Sequence, residues 1–440
     1  MKTWSIPKCL ELQATAAKLI PGMTQLLSKR PDMYSRGVWP TYFKEAHGTS
    51  ITDLDGNTYV DCSIGGIGAT VLGYADPDVN KAVIAAVESG SASTFNPPEE
   101  VALAQKLIEL HPWADMARFA RSGGEAMAMA VRIARVATRK EVVVFCGYHG
   151  WMDWYLAANL GKDDALNDQW IPGLPPIGVP KGLAGTAIPF RFNDLKSFDA
   201  ALAEAGDNLA AIVMEPIRNY EPDQAFMDRI HHAAQSRHVP LIMDEISAGF
   251  RICNGGAHLK LGWNPDVAVF SKALGNGFPI SAVIGKKEIM SAAQESLITS
   301  TNWSERVGPV AGLAMIEKFI RVDASSHLVS IAERVWKGWE RIAATHDIPI
   351  HVGGFKPMIH FSFETDNNVN RAYFTQEMLK RGFLASSSFY AMYAHTEQQI
   401  DAYLVAAGDV FGKIKELMKQ GSVSAHLEGK PAAAGFGRIN

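Results

Sequence analysis

Short runs of almost uniformly apolar residues, separated by stretches of helical periodicity, restrict this chain more than any other feature. Val142-Val143-Val144-Phe145, Ala210-Ala211-Ile212-Val213-Met214, Val239-Pro240-Leu241-Ile242-Met243, Val267-Ala268-Val269-Phe270 and Ile280-Ser281-Ala282-Val283-Ile284 all lack the apolar–polar alternation of a half-exposed strand. Strands apolar throughout are buried on both faces, the condition met where helices cover the two sides of a parallel sheet. The spacing predicts such helices at 99–110, 125–138 and 224–237, with a shorter strand at 116–120. The expected fold is therefore α/β, a mainly parallel sheet covered by helices.

The two ends of the chain have a different texture. Asp53-Leu54-Asp55-Gly56-Asn57 is turn chemistry between Ser50-Ile51-Thr52 and Thr58-Tyr59-Val60, which predicts a β-hairpin over 49–62. Beyond about 310 one long helical stretch runs through 345. A strand at 357–363, a helix at 369–381, a strand beginning at 383–385 and read as continuing over 384–391, and a helix at 396–419 follow. This α+β pattern predicts a large domain over 61–310 and a smaller one formed by 1–60 and 311–440. The tail Lys430-Pro431-Ala432-Ala433-Ala434-Gly435 reads as flexible or draped on a partner.

Composition removes several function classes. The 440 residues are 47% hydrophobic, enough for a large core, so a disordered chain is excluded. Lys+Arg 42 against Asp+Glu 46 gives 42 − 46 = −4, which offers no positive field to a polyphosphate, and nucleic acid is not an expected partner. Cys9, Cys62, Cys146 and Cys253 form no C-x-x-C pair, which fits free thiols in a reducing cytoplasm. No apolar run approaches the ~20 residues needed to span a bilayer, so no membrane partner is expected. His231, His232 and His238 face different sides of one helix, so a solvated surface is expected there and no metal site.

The chemistry gathers at strand ends. Arg118-Phe119-Ala120-Arg121-Ser122-Gly123-Gly124-Glu125-Ala126 is a strand, a Ser-Gly-Gly turn and a helix start: either an anion site at a helix N-terminus or a plain Ser N-cap. Leu241-Ile242-Met243 delivers Asp244 and Glu245 at the strand edge where open α/β sheets place ligands. A nucleotide hydrolase is excluded, because every Gly-Lys pair is followed by a residue other than Ser or Thr, and no G-x-G-x-x-G fingerprint stands in a strand–helix frame. Lys272 ends the apolar strand Asp266–Phe270, where its neighbours would desolvate it; a desolvated ammonium has a lowered pKa and becomes a nucleophile. Tyr148-His149-Gly150-Trp151 follows another buried strand and offers an aromatic platform, with core packing the preferred reading for Trp151, Trp154 and Tyr155. An anion cradle, a carboxylate and a desolvated amine are the three parts that pyridoxal phosphate needs.

At this point the chain resembles the class III aminotransferases of fold type I, above all their glutamate-1-semialdehyde aminomutase-like branch. The resemblance covers roughly 36–415 and is carried, in order, by residues 53–61, Ser122-Gly123-Gly124-Glu125-Ala126, Tyr148-His149-Gly150, Met214-Glu215-Pro216, Asp244-Glu245 with Gly249-Phe250-Arg251, and Ser271-Lys272-Ala273-Leu274-Gly275-Asn276-Gly277. It implies that Lys272 is the Schiff-base lysine and proton carrier, and that Asp244 partners the pyridinium nitrogen. It further implies Tyr148 stacked on one ring face, Ile246 on the other, and Ser122, Gly123 and Gly124 around the phosphate. Thr301, or Thr299 in the alternative register, corresponds to the threonine that reaches the neighbouring subunit's cofactor, which implies a homodimer with shared active sites.

The departures concern substrate. Tyr390 stands where the aminomutase pattern has a glutamate, Ser304-Glu305-Arg306 where the family usually has Gly-Asn-Pro, and Arg36 is the nearest counterpart of the arginine for a substrate carboxylate, with a surface arginine as the alternative. The expected function is a ping-pong aminotransferase moving an amino group between an amino donor and a carbonyl acceptor. The alternatives are an intramolecular 2,1-amino shift and a transaminase acting on a keto-sugar.

Overall fold

Seven strands of the central part of the chain form one sheet in the order Met116–Ala120, Ser281–Gly285, Val267–Phe270, Leu241–Asp244, Leu209–Met214, Val142–Cys146 and Ala187–Pro189. All are parallel in direction except Ser281–Gly285, which is antiparallel to both of its neighbours. Five of the seven are buried along their whole length, which is why their sequences show no alternation. The helix Gly123–Thr138 lays Met127, Ala130, Val131 and Ala134 on this sheet, in one core with Val143, Val213, Val269 and Val283. Each fully buried valine or methionine contributes about 1.5–3 kcal/mol relative to exposure.

The computed structural model describes residues 4–162, 164–169, 171–421, 423–433 and 435. The chain divides into two units, Pro77–Ser325, which holds the seven-stranded sheet, and Met1–Asp76 together with Ser326–Asn440. These limits differ from 61 and 310. Residue 61 lies inside the strand Thr58–Cys62, which pairs in parallel with Phe383–Ala385, and residue 310 lies inside the helix Val307–Arg321. The expected single helix to 345 is in fact two, Val307–Arg321 and Ala324–His346. They are separated where Asp323 takes a left-handed φ of 47° that no helix interior accommodates.

The unit made of both ends contains two small sheets. Phe43–His47, Ser50–Asp53, Thr58–Cys62 and Phe383–Ala385 form one; Ile350–Phe355, Met358–Phe363 and Ser388–Tyr390 form the other. The hairpin closes as its sequence predicts, because the Asp53 carboxylate accepts from the backbone N–H groups of Asp55 and Asn57, both at 2.9 Å, and from Tyr59 at 2.8 Å. The segment 384–391, expected as one strand, is divided between the two sheets. Ser386 turns the chain by accepting the Ser388 N–H on its hydroxyl at 3.2 Å. The tail also departs from expectation. Up to Ala433 it is tied to its own unit: Lys430 N–H donates to the Arg36 carbonyl (2.9 Å), Ser35 Oγ to the Lys430 carbonyl (3.1 Å) and Ala433 N–H to the Asp32 carbonyl (2.7 Å). Ala434 lies outside the described residues. Among the described residues no helix is long and apolar enough to cross a membrane.

Candidate active site

The register of the large sheet brings five chain segments to one edge. Cys146 stands beside Met214, Met214 beside Met243, and Asp244 beside Val269. Ala120 pairs with Ser281 and Phe270 with Ala282, so the strand Met116–Ala120 also ends on this side. Ser122–Gly124, Tyr148–Gly150, Glu215, Asp244–Ser247 and Lys272 therefore all follow C-terminal strand ends of one sheet, the position where such sheets hold ligands.

Asp244 is 2% exposed. Its Oδ2 lies 2.7 Å from His149 Nδ1, and its Oδ1 accepts from Ile246 N–H at 3.0 Å. The other histidine nitrogen, Nε2, lies 3.1 Å from the Cys146 carbonyl oxygen, an acceptor, so the proton there belongs to the ring. His149 thus orients the carboxylate from behind. Sequence reasoning read Tyr148-His149-Gly150 as an aromatic platform and gave this histidine no role of its own; its place three residues past the buried strand residue Cys146 was the available signal.

Lys272 follows the strand Val267–Phe270 with a left-handed φ of 45°, a conformation that costs a non-glycine residue about 1–3 kcal/mol and is tolerated where a side chain must be aimed. Its amine donates to Ser247 Oγ at 2.6 Å, a partner that the sequence did not announce. Burial of the amine, followed by the nearby positive charge of Arg218, pushes its pKa from 10.5 down to about 8. Arg251 acts in the same direction, while Glu215 and Asp244 oppose it.

Ser122 is the N-cap of Gly123–Thr138. Its hydroxyl accepts from Glu125 N–H at 3.5 Å and its own N–H donates to Glu125 Oε2 at 2.9 Å. Both sequence readings of the turn coexist, since the hydroxyl serves the cap while Gly123 and Gly124 open the first turn, whose N–H groups lack intrahelical acceptors. A Cβ on Gly123 would lie 2.9 Å from Ile246 Cδ1, and one on Gly150 only 3.2 Å from Gly124 Cα. The glycine turn, Ile246 and the Tyr148–Gly150 turn are thus packed to contact. Tyr148 meets Tyr155 edge-on at 5.9 Å, its backbone N–H donates to Glu215 Oε2 at 3.2 Å, and burial raises the pKa of its phenol. Trp154 and Tyr155 are core residues as expected; Trp151, in contrast, is 69% exposed.

Of the sequence candidates, Ser122, Gly123, Gly124, Tyr148, Asp244, Ile246 and Lys272 are gathered here. Thr301 is exposed and opens the short turn Thr301–Ser304, which is fixed to the glycine turn by Arg121: its guanidinium donates to the Trp303 and Glu305 carbonyls at 3.0 and 2.9 Å. Glu305, in the segment that departs from the family pattern, caps the next helix through Val307 N–H and Gly308 N–H at 2.6 and 2.8 Å. Arg36 and Tyr390 belong to the unit formed by the chain ends, where both are half-buried.

Comparison with known proteins agrees with this geometry. Residues 33–405 match the family described as Aminotransferase class-III. The chain is 30% identical over 387 residues to a 2'-deamino-2'-hydroxyneamine transaminase of Streptomyces kanamyceticus, covering 87% of this chain and 93% of that one. It is 32% identical over 419 residues to a glutamate-1-semialdehyde 2,1-aminomutase of Desulforapulum autotrophicum, covering 90% and 96%. Among solved structures, an omega-transaminase from Sphaerobacter thermophilus superposes with a TM-score of 0.80 at 25% identity, over 92% of this chain and 97% of that one.

Proposed function

The chain belongs to the class III aminotransferase family, and on that premise we propose that it moves an amino group between an amino donor and a carbonyl acceptor in two half-reactions. It is a pyridoxal-phosphate enzyme by family. When bound, that cofactor supplies an aldehyde to receive the amino group and a conjugated ring to draw electrons from the carbon that loses its proton. The observation that carries the reading is the convergence on one sheet edge of a low-pKa amine, a histidine-backed carboxylate and a glycine-opened helix N-terminus.

The residues fit the group in both shape and charge. The first turn of Gly123–Thr138 would hold the phosphate, its partial positive charge contributing up to ~2 kcal/mol. Asp244, fixed by His149, would keep a proton on the ring nitrogen. Ile246 and Tyr148 would bound the ring faces. An amine with pKa about 8 offers roughly 300-fold more free base at pH 7 than one at 10.5, so Lys272 can accept a proton from a substrate carbon and return it. Glycines at 123 and 150 let these segments approach within contact.

Borohydride treatment of the protein loaded with cofactor should fix the cofactor to the peptide bearing Lys272, and Lys272→Ala should abolish that retention. Retention in the variant would overturn the reading. Two extensions accompany it: a homodimer in which Thr301 serves the cofactor of the neighbouring copy, supported by exposed Thr301, Phe95 and Leu297 on the same unit, and a reducing compartment, supported by the four unbridged cysteines. The aminomutase relative favours a second reading, an intramolecular amino shift. Dependence of turnover on an external amino donor supports the transaminase; turnover without one supports the mutase.

A further inference from the structure

Among the described residues the Lys272 amine forms its hydrogen bond with a neutral hydroxyl, Ser247 Oγ at 2.6 Å, although the carboxylates of Asp244 and Glu215 stand close enough for their charges to act on it. We propose that Ser247 is a positioning residue: its hydroxyl holds the Lys272 amine at one point both with and without its extra proton, so that the amine meets the cofactor aldehyde and the substrate carbon from a fixed direction. The inference rests on the aminotransferase reading and adds to it a residue that acts through the lysine.

Three observations carry it. The first is the rigidity of the turn that bears Ser247, directly after the strand Leu241–Asp244. Gly249 N–H donates to the Glu245 carbonyl at 2.8 Å, and the Ser247 carbonyl accepts at 3.1 Å from Nε of Arg251, a side chain enclosed by the protein. The Phe250 ring lies 5.8 Å from that of Phe270, and a Cβ on Gly249 would come within 2.8 Å of Phe270 Cδ1. Phe270 stands two residues before Lys272, so the turn that offers the hydroxyl and the strand that delivers the amine are packed on each other.

The second is the lysine itself. Its backbone is set at a left-handed φ of 45°, yet the four-carbon stem beyond is flexible, and only a partner at its tip gives the amine one place. The third is chemistry. A carboxylate only accepts, so it would grip the ammonium and lose its hold as the proton leaves; a hydroxyl carries both a donor and lone pairs. Ser247 can accept from the ammonium, and it can accept an N–H from the neutral amine or donate to its lone pair. The place of the amine is then independent of its charge, as a group that takes up a proton and returns it requires.

The test follows capture of the cofactor. Cofactor-free wild type, Ser247→Ala and Ser247→Thr are mixed with saturating pyridoxal phosphate from about pH 6 to 10, and the absorbance of the lysine-bound cofactor is recorded by stopped flow. In Ser247→Ala the plateau rate should fall about tenfold, since the amine is no longer aimed. The pH at which the rate levels off should move below the wild-type value of about 8 by about half a unit or more, because an oxygen that favours the charged form has gone. The charges of Arg218, Glu215, Arg251 and Asp244 remain in the variant, so the shift reads the hydroxyl. Ser247→Thr, which keeps the hydroxyl, should restore both rate and profile. Should Ser247→Ala not fold, Ser247→Cys carries the same expectation, its thiol being a weak hydrogen-bond partner. A plateau and profile in the folded variant equal to those of wild type would overturn the proposal. So would a Ser247→Thr that melts like wild type but captures like Ser247→Ala, because the effect would then belong to the shape of the turn. A wild-type protein in which borohydride fixes no cofactor on Lys272 would instead overturn the aminotransferase reading itself.

Discussion

Asp244 and Glu245 are neighbours in sequence, both buried and both paired with a histidine, yet their surroundings are built for different ends. Successive residues at a strand end face opposite sides. Glu245 is the more fully paired: Ala257 N–H donates to one oxygen at 2.9 Å, and the N–H and Nδ1 of His258 meet the other at 2.9 and 2.6 Å. His258 is closed in turn, because Trp113 Nε1 donates to its Nε2 at 3.1 Å, so its proton sits on Nδ1 and its ring is neutral. Among the described residues Asp244 meets only His149 and one backbone N–H, and a carboxylate has about four acceptor sites. A carboxylate held by three donors of its own chain is architecture; one held from behind by two, with more capacity remaining, is arranged for a ligand.

That contrast can be broken most directly by exchanging charge for amide at each site. Asp244→Asn should lower kcat roughly 10³-fold while leaving thermal stability nearly unchanged, because the amide oxygen still accepts from Ile246 N–H. Glu245→Gln should do the reverse, costing about 1–3 kcal/mol in denaturant unfolding because an amide N–H then faces another donor, with the activity of the folded, cofactor-loaded fraction close to that of the parent. Equal losses of both kinds in both variants would dissolve the distinction.

The next largest effect is expected at the histidines. His149→Leu should weaken cofactor binding about 10–100-fold, measured by equilibrium dialysis, since Asp244 Oδ2 loses its partner. His258→Leu should leave that affinity unaltered and lower the melting temperature.

The pH dependence of Lys272 sharpens the picture further. Its folded pKa of about 8 lies below the ordinary 10.5, so cofactor capture by the cofactor-free protein should rise about tenfold per pH unit up to 8 and then level off. Between about 8 and 10.5 the unfolded lysine holds a proton that the folded one has released, so the cofactor-free protein gains stability as pH rises through that window. Lys272→Met should lack this gain. The smallest effect is at the cradle: Gly123→Ala should weaken cofactor binding severalfold, and adding Ile246→Val should restore part of it, because the closest contact of the new methyl, at 2.9 Å, is with the Cδ1 that valine lacks.

The sheet was legible because its strands are apolar throughout, and the edge residues because a lysine and an acid directly after such strands are chemically costly unless used. What stayed hidden depends on distance in sequence. His149 and Asp244 are 95 residues apart, and no local pattern announces their bond; Ser247 meets Lys272 across 25. The break at Asp323 and the sheet change at Ser386 each turn on one backbone conformation or one hydroxyl, too little to interrupt a periodicity. Trp151 follows the aromatic pattern of Trp154 and Tyr155 but falls on the outside of the turn.

The anchoring of residues 430–433 to Asp32–Arg36 has a temporal consequence during synthesis. The unit Pro77–Ser325 is continuous in sequence and can collapse as soon as it leaves the ribosome, whereas the other unit stays incomplete until residues 430–433 emerge. At about 5–20 residues per second, the 433 − 325 = 108 residues from Ser325 to Ala433 take roughly 5–22 s. For that interval the nascent chain carries a finished cofactor-side unit beside an unfinished partner, which gives Pro77–Ser325 its own time in which to fold.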